Sequence, residues 1–580
     1  MADADGGGGG DGGGGGSEAA SGAGAGAGAA LPSHTQTPAL LLAMAKRLGG
    51  ADWFTAKVSA AGILPVVYRY FTDLEAAQAQ AAADGGGGGG GGGPDETDGN
   101  TNNHNFPGPK PADAHRELRT LYKDLAADDA PMVRRSAARH LAAFVEACAA
   151  LPRTAHELST RSGTPNAANP PPVGADTRRI ILDEIIPMYQ ALGTDEQDSV
   201  RLLAVSASGS VGYALGVDPE LTSELVFPVV RGGCQDLSWR VRNNLSKEFA
   251  TVASSLGFTT PEYESHQVEI FRLFSSLLQD NEAEVRSVAV DAVARMAQLG
   301  GPDLFQAHIT PALPLLAEDP VMEVRSKLAH AIMDCCDEAT CAILTDRVVL
   351  QDFKPLLENF LNDEFAEVQL RVLTKLSRVS HLLARMDTVV GSILAMAKAT
   401  NWRVRDAVSR LLPHLAEARG ISFFEDHLLE LWMKLLQDQV AEVRFGCISG
   451  MPKLLSVAGP EWVQKEIVPR YLSLYEGSSS YLTRITVLRS FSELVHDGGA
   501  NGHSLLEDVL TLILKGLEDK VANVRMVAAQ GLAKILAEGG KDAGEAIWDA
   551  KVQPALIARV TEDDDDDCKF FAQIALDACA

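Results

Sequence analysis

A short pattern that returns about every 41 residues limits what this sequence can fold into more than any other feature. It consists of an aspartate, four further residues, a β-branched residue and then an arginine, as in Asp280, Val285 and Arg286. Twelve copies in 580 residues exclude a set of ordinary independent domains and predict one array of repeats. The β-branched position, which is a cysteine in the last copy, is occupied in chain order by Thr55, Val133, Val200, Val241, Val285, Val324, Val368, Val404, Val443, Thr483, Val524 and Cys568.

Each copy of the pattern predicts two helices. Val285, Val288, Ala292 and Met296 follow one another at three- and four-residue steps, which is typical of the buried stripe of a helix. A second apolar helical segment precedes the aspartate. Because two helices of this size cannot bury their apolar faces alone, they must stack on the neighbouring pairs. We therefore predict an all-α fold, a HEAT-repeat superhelix or α-solenoid of about twelve helix pairs.

The polar positions of the pattern predict how the repeats are joined. The aspartate closes the turn between the two helices, where we expect it to cap the second helix by accepting backbone N–H bonds. The arginine lies at the edge of the buried stripe, and we expect it to pair with the aspartate of the next repeat. Four copies carry a proline that is expected to kink the first helix: Pro187, Pro228, Pro311 and Pro355.

Low-complexity segments divide the N-terminal part of the array. The predicted organisation is a disordered Gly/Ala-rich tail at 1–35, a divergent repeat at 36–83, an insert at 84–111, a repeat at 112–158, a second insert at 159–177, and ten repeats at 178–580.

Composition excludes several classes of function. The excess of 77 acidic over 51 basic residues, a net charge of −26, argues against nucleic-acid binding, because phosphates require a basic surface. No apolar segment is long enough to span a bilayer, and the acidic N-terminus does not resemble a secretory signal. Eight cysteines are too few for a disulfide scaffold. We expect a cytoplasmic location, with the nucleus as a second one.

Tryptophan and arginine recur together at two of the predicted turns. Trp239 and Arg240 in one repeat correspond to Trp402 and Arg403 in another, and Trp53 marks a weaker third copy. A tryptophan in a turn either folds back onto its own repeat or contacts a partner. Because successive turns line up along one edge, and because Trp and Arg are enriched in interface hot spots, we favour partner contact.

Chemical motifs are weak in this sequence. The glycine runs lack the Gly-Lys-Ser/Thr ending of a phosphate-binding loop. His330, Cys335, Cys336 and Cys341 resemble a metal cluster, but they lack paired spacing, so buried cysteines are the expectation. The five aspartates at 563–567 could attract a cation or a basic partner, although they fall where an acidic turn is expected. We predict no catalytic residue, no metal and no cofactor.

Several segments resemble one family, the HEAT-repeat scaffold (A) subunits of protein phosphatase 2A. The similarity runs from about residue 40 to residue 580, outside the two inserts. The family has fifteen repeats, and the twelve found here correspond to its fourth through fifteenth, so that its first three are absent. The resemblance rests on the turns around Trp239 and Trp402 and on residues 128–135, 185–188, 195–205, 481–484, 521–525 and 570–573.

The resemblance implies a non-catalytic scaffold within a heterotrimer. In this family the last five repeats hold the catalytic subunit, and the N-terminal repeats hold an interchangeable regulatory subunit. A different HEAT-repeat carrier, such as a nuclear transport receptor that binds basic cargo, is the alternative, and an enzyme that uses the Cys/His segment is a second rival. The implied catalytic-subunit contacts are Trp402, Arg403, Val440, Tyr481 and Val521, and the implied regulatory-subunit contacts are Pro131, Met132, Arg134, Arg135, Trp239 and Arg240.

Overall fold

The computed structural model describes residues 37–84, 109–151, 174–258, 261–337, 344–537 and 551–578. Within these ranges the chain forms helices and turns without a strand, which confirms the predicted all-α class. The helices form twelve pairs whose two members pack on each other, and we number these repeats 1 to 12. The predicted tail at 1–35, Cys341 and most of both inserts lie outside the described residues.

The first helices of the repeats form one layer of the array. Their bounds, in chain order, are Thr37–Gly49, Pro111–Ala126, Ile186–Gly193, Phe227–Cys234, Glu264–Leu278, Leu313–Ala317, Lys354–Leu361, Asp387–Met396, Leu429–Leu435, Val468–Gly477, Leu506–Leu517 and Gln553–Glu562.

The second helices form the other layer, in which every helix contacts the second helix of the next repeat. Their bounds are Phe54–Asp84, Pro131–Cys148, Asp198–Ser206, Trp239–Ser255, Ala283–Asp291, Met322–Cys335, Ala366–Leu373, Trp402–Arg419, Ala441–Ala458, Tyr481–His496, Ala522–Ala537 and Asp566–Asp577. Shorter helices that extend or connect these elements are Ala175–Ile180, Ser208–Ala214, Pro219–Leu225, Pro261–Tyr263, Val293–Leu304, Thr310–Ala312, Asp346–Val348, Leu376–Arg385, Ile421–Phe423, Pro460–Trp462 and Gly499–His503.

Prolines near the start of the first helices are accommodated by a widened helical turn. Pro187 and Pro355 each lie two residues after the last residue of a π turn. Pro228 instead follows a break between two helices at Val226. A proline lacks the N–H of a regular turn and its ring clashes with the carbonyl four residues earlier, so the wider turn removes the conflict. The π turns are Ile181–Ile185, Phe305–Ile309, Val349–Phe353, Phe424–Leu428 and Val463–Ile467.

The β-branched positions form the core between the two layers. From Val133 to Val524 the nine valines at this position have no exposed surface, and burial of each stabilises the fold by roughly 1.5–3 kcal/mol. Thr55, at the same position of the first repeat, is exposed instead.

One predicted boundary shifts. Helix Ala175–Ile180 begins inside the segment 159–177 that was expected to be an insert, because Asp176 in its first turn and the apolar residues after it favour a helix. Among the described residues no helix is long and apolar enough to cross a membrane.

Candidate partner-binding surface

A series of ion pairs, here called the arginine ladder, joins consecutive repeats. In each pair the arginine Nε and Nη2 atoms donate to the two carboxylate oxygens of the next repeat's aspartate at 2.6–3.1 Å. This confirms the predicted arginine–aspartate pairing. The eight pairs are Arg134–Asp195, Arg201–Asp236, Arg242–Asp280, Arg286–Asp319, Arg325–Asp363, Arg405–Asp438, Arg484–Asp519 and Arg525–Asp563.

Each arginine of the ladder also holds its own turn. The Arg242 Nη1 atom donates to the backbone carbonyl of Asp236 at 2.7 Å, so one guanidinium connects two successive turns. The aspartate does less capping than expected: Asp280 accepts the backbone N–H of Glu282 at 3.0 Å, and Glu282 is itself the N-cap residue of the following helix. The prediction that the aspartate caps the helix is therefore wrong by two positions, because its carboxylate closes the turn before the cap.

Both members of a ladder pair are charged at neutral pH. Burial on its own raises the pKa of the Asp280 carboxyl, but hydrogen bonds from Arg242 and from the Glu282 N–H outweigh it and leave the pKa below its ordinary value. The hydrogen bond with Asp280 raises the pKa of Arg242 in turn. With both charges satisfied and the side chains only 16% and 7% exposed, the ladder is suited to holding the stack rather than to binding a partner.

The recurrent Trp-Arg-Val-Arg segment divides its side chains between three tasks. In the copy that begins at Trp402, Val404 is buried and Arg405 belongs to the ladder. Arg403 is exposed, and its guanidinium lies 4.7 Å from the centre of the Trp402 ring. The first two positions are therefore the ones that a partner can reach.

Apolar side chains are concentrated on the turns, in what we call the turn ridge. Nine of the seventeen large apolar residues that are exposed in the described part of the chain lie in these turns or at the first two positions of the second helix that follows. A solvated turn normally carries polar residues, so an exposed apolar series along one edge indicates an interaction surface. The nine residues are Trp53, Phe54, Met132, Leu237, Trp239, Val321, Phe365, Tyr481 and Leu482.

The implied catalytic-subunit contacts lie on four consecutive turns, those of repeats 8 to 11. Tyr481, on the turn of repeat 10, is 40% exposed, and Arg403, on the turn of repeat 8, is also exposed. Trp402, Val440 and Val521 are half-buried and pack against the hydrophobic core.

The implied regulatory-subunit contacts lie in the turns of repeats 2 and 4. Pro131, Met132, Trp239 and Arg240 are exposed, with 53% of Met132 accessible. Arg134 differs from these, because it is a ladder residue whose side chain is only 14% exposed. Arg135 is half-buried, and its Nε atom is buried without a hydrogen-bond partner among the described residues.

Sequence reasoning missed other exposed apolar residues of the turn ridge. Leu237 is 99% exposed and Phe365 is 43% exposed, although neither repeats as a motif. The available signal was a large apolar residue one or two positions after the ladder aspartate.

The candidate metal cluster does not assemble among the described residues. His330 contacts Lys375 and Asp334, whereas Cys335 and Cys336 are buried. No group of three or more metal-ligating side chains is found in the part of the chain that the structure describes. In the acidic turn, Asp563 accepts from Arg525, and Asp565 caps the last helix through the Cys568 N–H.

Paired helices, buried ion pairs between repeats and an apolar turn ridge define a HEAT-repeat solenoid. Residues 265–337 match the family model described as PPP2R1A-like HEAT repeat. The chain is 26% identical over 225 residues to the A-type regulatory subunit of protein phosphatase PP2A from Schizosaccharomyces pombe, a match that covers 39% of this chain and 27% of that protein. It is 27% identical over 269 residues to the protein of the same name in Saccharomyces cerevisiae, covering 44% of this chain and 40% of that one.

The chain thus spans less than half the length of these relatives. They are regulatory subunits, in agreement with the prediction that the chain is not an enzyme. Among solved structures, the karyopherin Kap121p bound to the extreme C-terminus of the protein phosphatase Cdc14p has a TM-score of 0.57 and 14% identity. That similarity covers 94% of this chain and 50% of Kap121p, and it concerns the fold alone.

Proposed function

We propose that the chain is a non-catalytic scaffold that holds the catalytic subunit of protein phosphatase 2A on the turns of repeats 8 to 11. The observation that carries this proposal is the exposed Tyr481, together with Trp402 and Arg403, on turns of a chain whose relatives are PP2A regulatory subunits. Tyrosine, tryptophan and arginine are the side chains that contribute most to protein interfaces.

A variable regulatory subunit is the second proposed partner. Met132 and Trp239 provide exposed apolar surface on the turns of repeats 2 and 4, and Arg240 adds an exposed positive charge next to Trp239. The ladder pairs Arg134–Asp195 and Arg201–Asp236 hold these two turns at a fixed separation. A scaffold of this kind works by raising the effective concentration of one bound protein at the other.

The second candidate function is that of a nuclear transport receptor. Its support is the karyopherin likeness, which is one of fold, together with the net charge of −26 that suits a basic cargo. The two candidate functions require different ligands, the PP2A catalytic subunit and a basic cargo peptide, so one binding experiment separates them.

We expect the Tyr481→Ala variant to bind the purified catalytic subunit of PP2A about tenfold more weakly than wild type in biolayer interferometry. Trp402→Ala and Arg403→Glu should weaken binding in the same direction. The matched control is Phe365→Ala, which removes an equally exposed aromatic side chain from the turn of repeat 7, outside the proposed surface.

The possible outcomes separate an error in the placement of the site from an error in the proposed function. Undiminished binding in all three variants, with wild-type helix content by circular dichroism, refutes the placement of the site. If wild type does not bind the catalytic subunit but does bind a lysine-rich cargo peptide, the transport function replaces the scaffold function.

A further inference from the structure

A groove of about 470 Å³ lies between the second helices of repeats 7 and 8. Leu370 and Leu373 line one wall, and Leu411 lines the other. Thr374 and Ser377 add hydroxyl groups at the first wall. The volume is within the range of sites that bind small ligands or single peptide side chains.

The sequence shows that the arginine ladder is interrupted at this joint. Gln369 stands where the ladder has arginine, and Ala399 stands where it has aspartate, so no ion pair closes the joint. The second helix of repeat 7 is regular only to Leu373 and continues as the tighter helix Leu376–Arg385, in which Val379 leaves helical geometry. The opposite wall is the longer α-helix Trp402–Arg419, which contacts both of these segments.

The charge at the groove is opposite in sign to that of the chain. Arg403 and Arg410 line it, and the one acidic lining residue is Asp406, which pairs with Arg410 at 3.0 Å. Arg403 forms no ion pair with the residues that the structure describes. The groove therefore offers one unpaired cation beside an apolar wall, in a protein whose net charge is −26.

The groove also has the dimensions of an extended segment. Its lining on repeat 8 runs from Trp402 to His414, about 18 Å of helix, which matches roughly five extended residues. Burial of His414 lowers its pKa, so at neutral pH this end of the groove presents a neutral ring and not a further charge.

We propose that this groove binds a short extended segment of a partner protein that carries a bulky apolar side chain next to a carboxylate. The apolar side chain packs against Leu370 and Trp402, the half-buried apolar residues of the lining, and the carboxylate pairs with the Arg403 guanidinium. This binding is additional to the docking of the catalytic subunit. Because Trp402 and Arg403 belong to both surfaces, Thr374, which lines only the groove, is the position for the test.

The test is fluorescence anisotropy with the labelled peptide Asp-Glu-Phe-Leu-Glu-Asp and the full chain. We expect Thr374→Trp, which fills the groove from an exposed position, to weaken binding at least about tenfold. The matched control is Ser449→Trp, at an exposed position of the second helix of repeat 9, which should bind like wild type. Peptides with lysine in place of the acids, or alanine in place of Phe-Leu, should bind at least about tenfold more weakly to wild type.

Unchanged affinity in Thr374→Trp, or equal binding of the lysine peptide, overturns the proposal. If Thr374→Trp loses thermal stability, Ser377→Trp fills the same groove from the adjacent turn and gives the same readout. Binding of the PP2A catalytic subunit to Thr374→Trp should stay within about twofold of wild type. That measurement separates failure of the groove proposal from failure of the scaffold proposal.

Discussion

The joints between repeats 2 and 7 differ from those that follow them. Five consecutive joints, from Arg134–Asp195 to Arg325–Asp363, are each closed by a buried bidentate ion pair. In the second half the ladder is interrupted twice, between repeats 7 and 8 and between repeats 9 and 10.

The two interruptions have different chemistry. At the first, the Gln369 amide donates to the Asp363 carbonyl at 2.7 Å and so replaces only the arginine's bond to its own turn. At the second, Arg444 is present and donates to the Asp438 carbonyl at 2.6 Å, but its Nε reaches the Thr486 hydroxyl in place of an aspartate. Burial lowers the pKa of Arg444, as expected of a guanidinium without a carboxylate.

The two proposed docking surfaces differ in whether ladder pairs close the joints beneath them. The turns around Met132 and Trp239 are joined only through closed joints, so the proposed regulatory subunit would meet a surface of fixed spacing. The turns around Val440 and Tyr481 lie on either side of an interrupted joint. The catalytic subunit would therefore bind across a separation that no ion pair fixes, and its own contacts would set that separation.

Acid should abolish the difference in local stability between joints with a ladder pair and joints without one, and this is the largest effect we expect. The pKa values of Asp195, Asp236 and Asp280 lie below their ordinary value, so their contribution is complete above the unfolded pKa of about 3.9. It is lost as the pH falls through the lower folded values. At about pH 5 pepsin should cut first near the turns at 399 and 478, and at about pH 3 it should cut at all the turns.

The same cleavage order at both pH values would contradict a stabilising role of the ladder. The Asp280→Asn variant serves as the control, because its cleavage near residue 280 should already be fast at about pH 5.

Removal of one ladder arginine should produce the next largest effect. Arg242→Ala leaves the Asp280 carboxylate, only 7% exposed, without its cation, and should lower the free energy of unfolding by about 2–3 kcal/mol. Urea denaturation followed by circular dichroism measures the loss. Arg240→Ala, two residues earlier and exposed, should change the stability by less than about 0.5 kcal/mol. Equal effects of the two variants would show that the ladder adds nothing to the stack.

The sequence predicts the ladder well because repetition tests each position many times over. The buried valines and the arginine–aspartate pairs recur at a fixed offset, so their common role is visible without a structure. The groove could not be predicted in this way, although Gln369 and Ala399 mark the missing pair. Neither proline nor glycine occurs in Leu376–Arg385, so nothing in the sequence indicates the tighter helix there.

The partner-binding residues fall between these extremes. Pairs such as Trp239 and Trp402 could be found because they repeat. How far each tryptophan is exposed could not be predicted, because Trp239 is 38% exposed whereas Trp402, at the equivalent position, is half-buried. The tertiary packing around each turn decides that difference, and the four-residue motif does not encode it.

Restoring the missing aspartate should close one of the two interrupted joints. Ser478→Asp places a carboxylate in the turn that follows Arg444, and it should raise the free energy of unfolding by about 1 kcal/mol. Ala399→Asp is the matched control, because Gln369 faces it and supplies no cation, so no gain is expected. A gain of equal size in both variants would mean that the aspartate acts on its own turn and not across the joint.

The smallest effect should come from an ion pair that is not part of the ladder. Lys453 and Glu417 join repeats 8 and 9 at 2.6 Å, in the same joint as Arg405 and Asp438. Their side chains are 37% and 45% exposed, so solvent screens the attraction, and a double-mutant cycle with alanine should give a coupling below about 0.5 kcal/mol. The coupling between Arg405 and Asp438 should be several times larger. Equal couplings would show that any charge pair can close a joint, and the contrast between the halves would then have to rest on the number of pairs instead of on their burial.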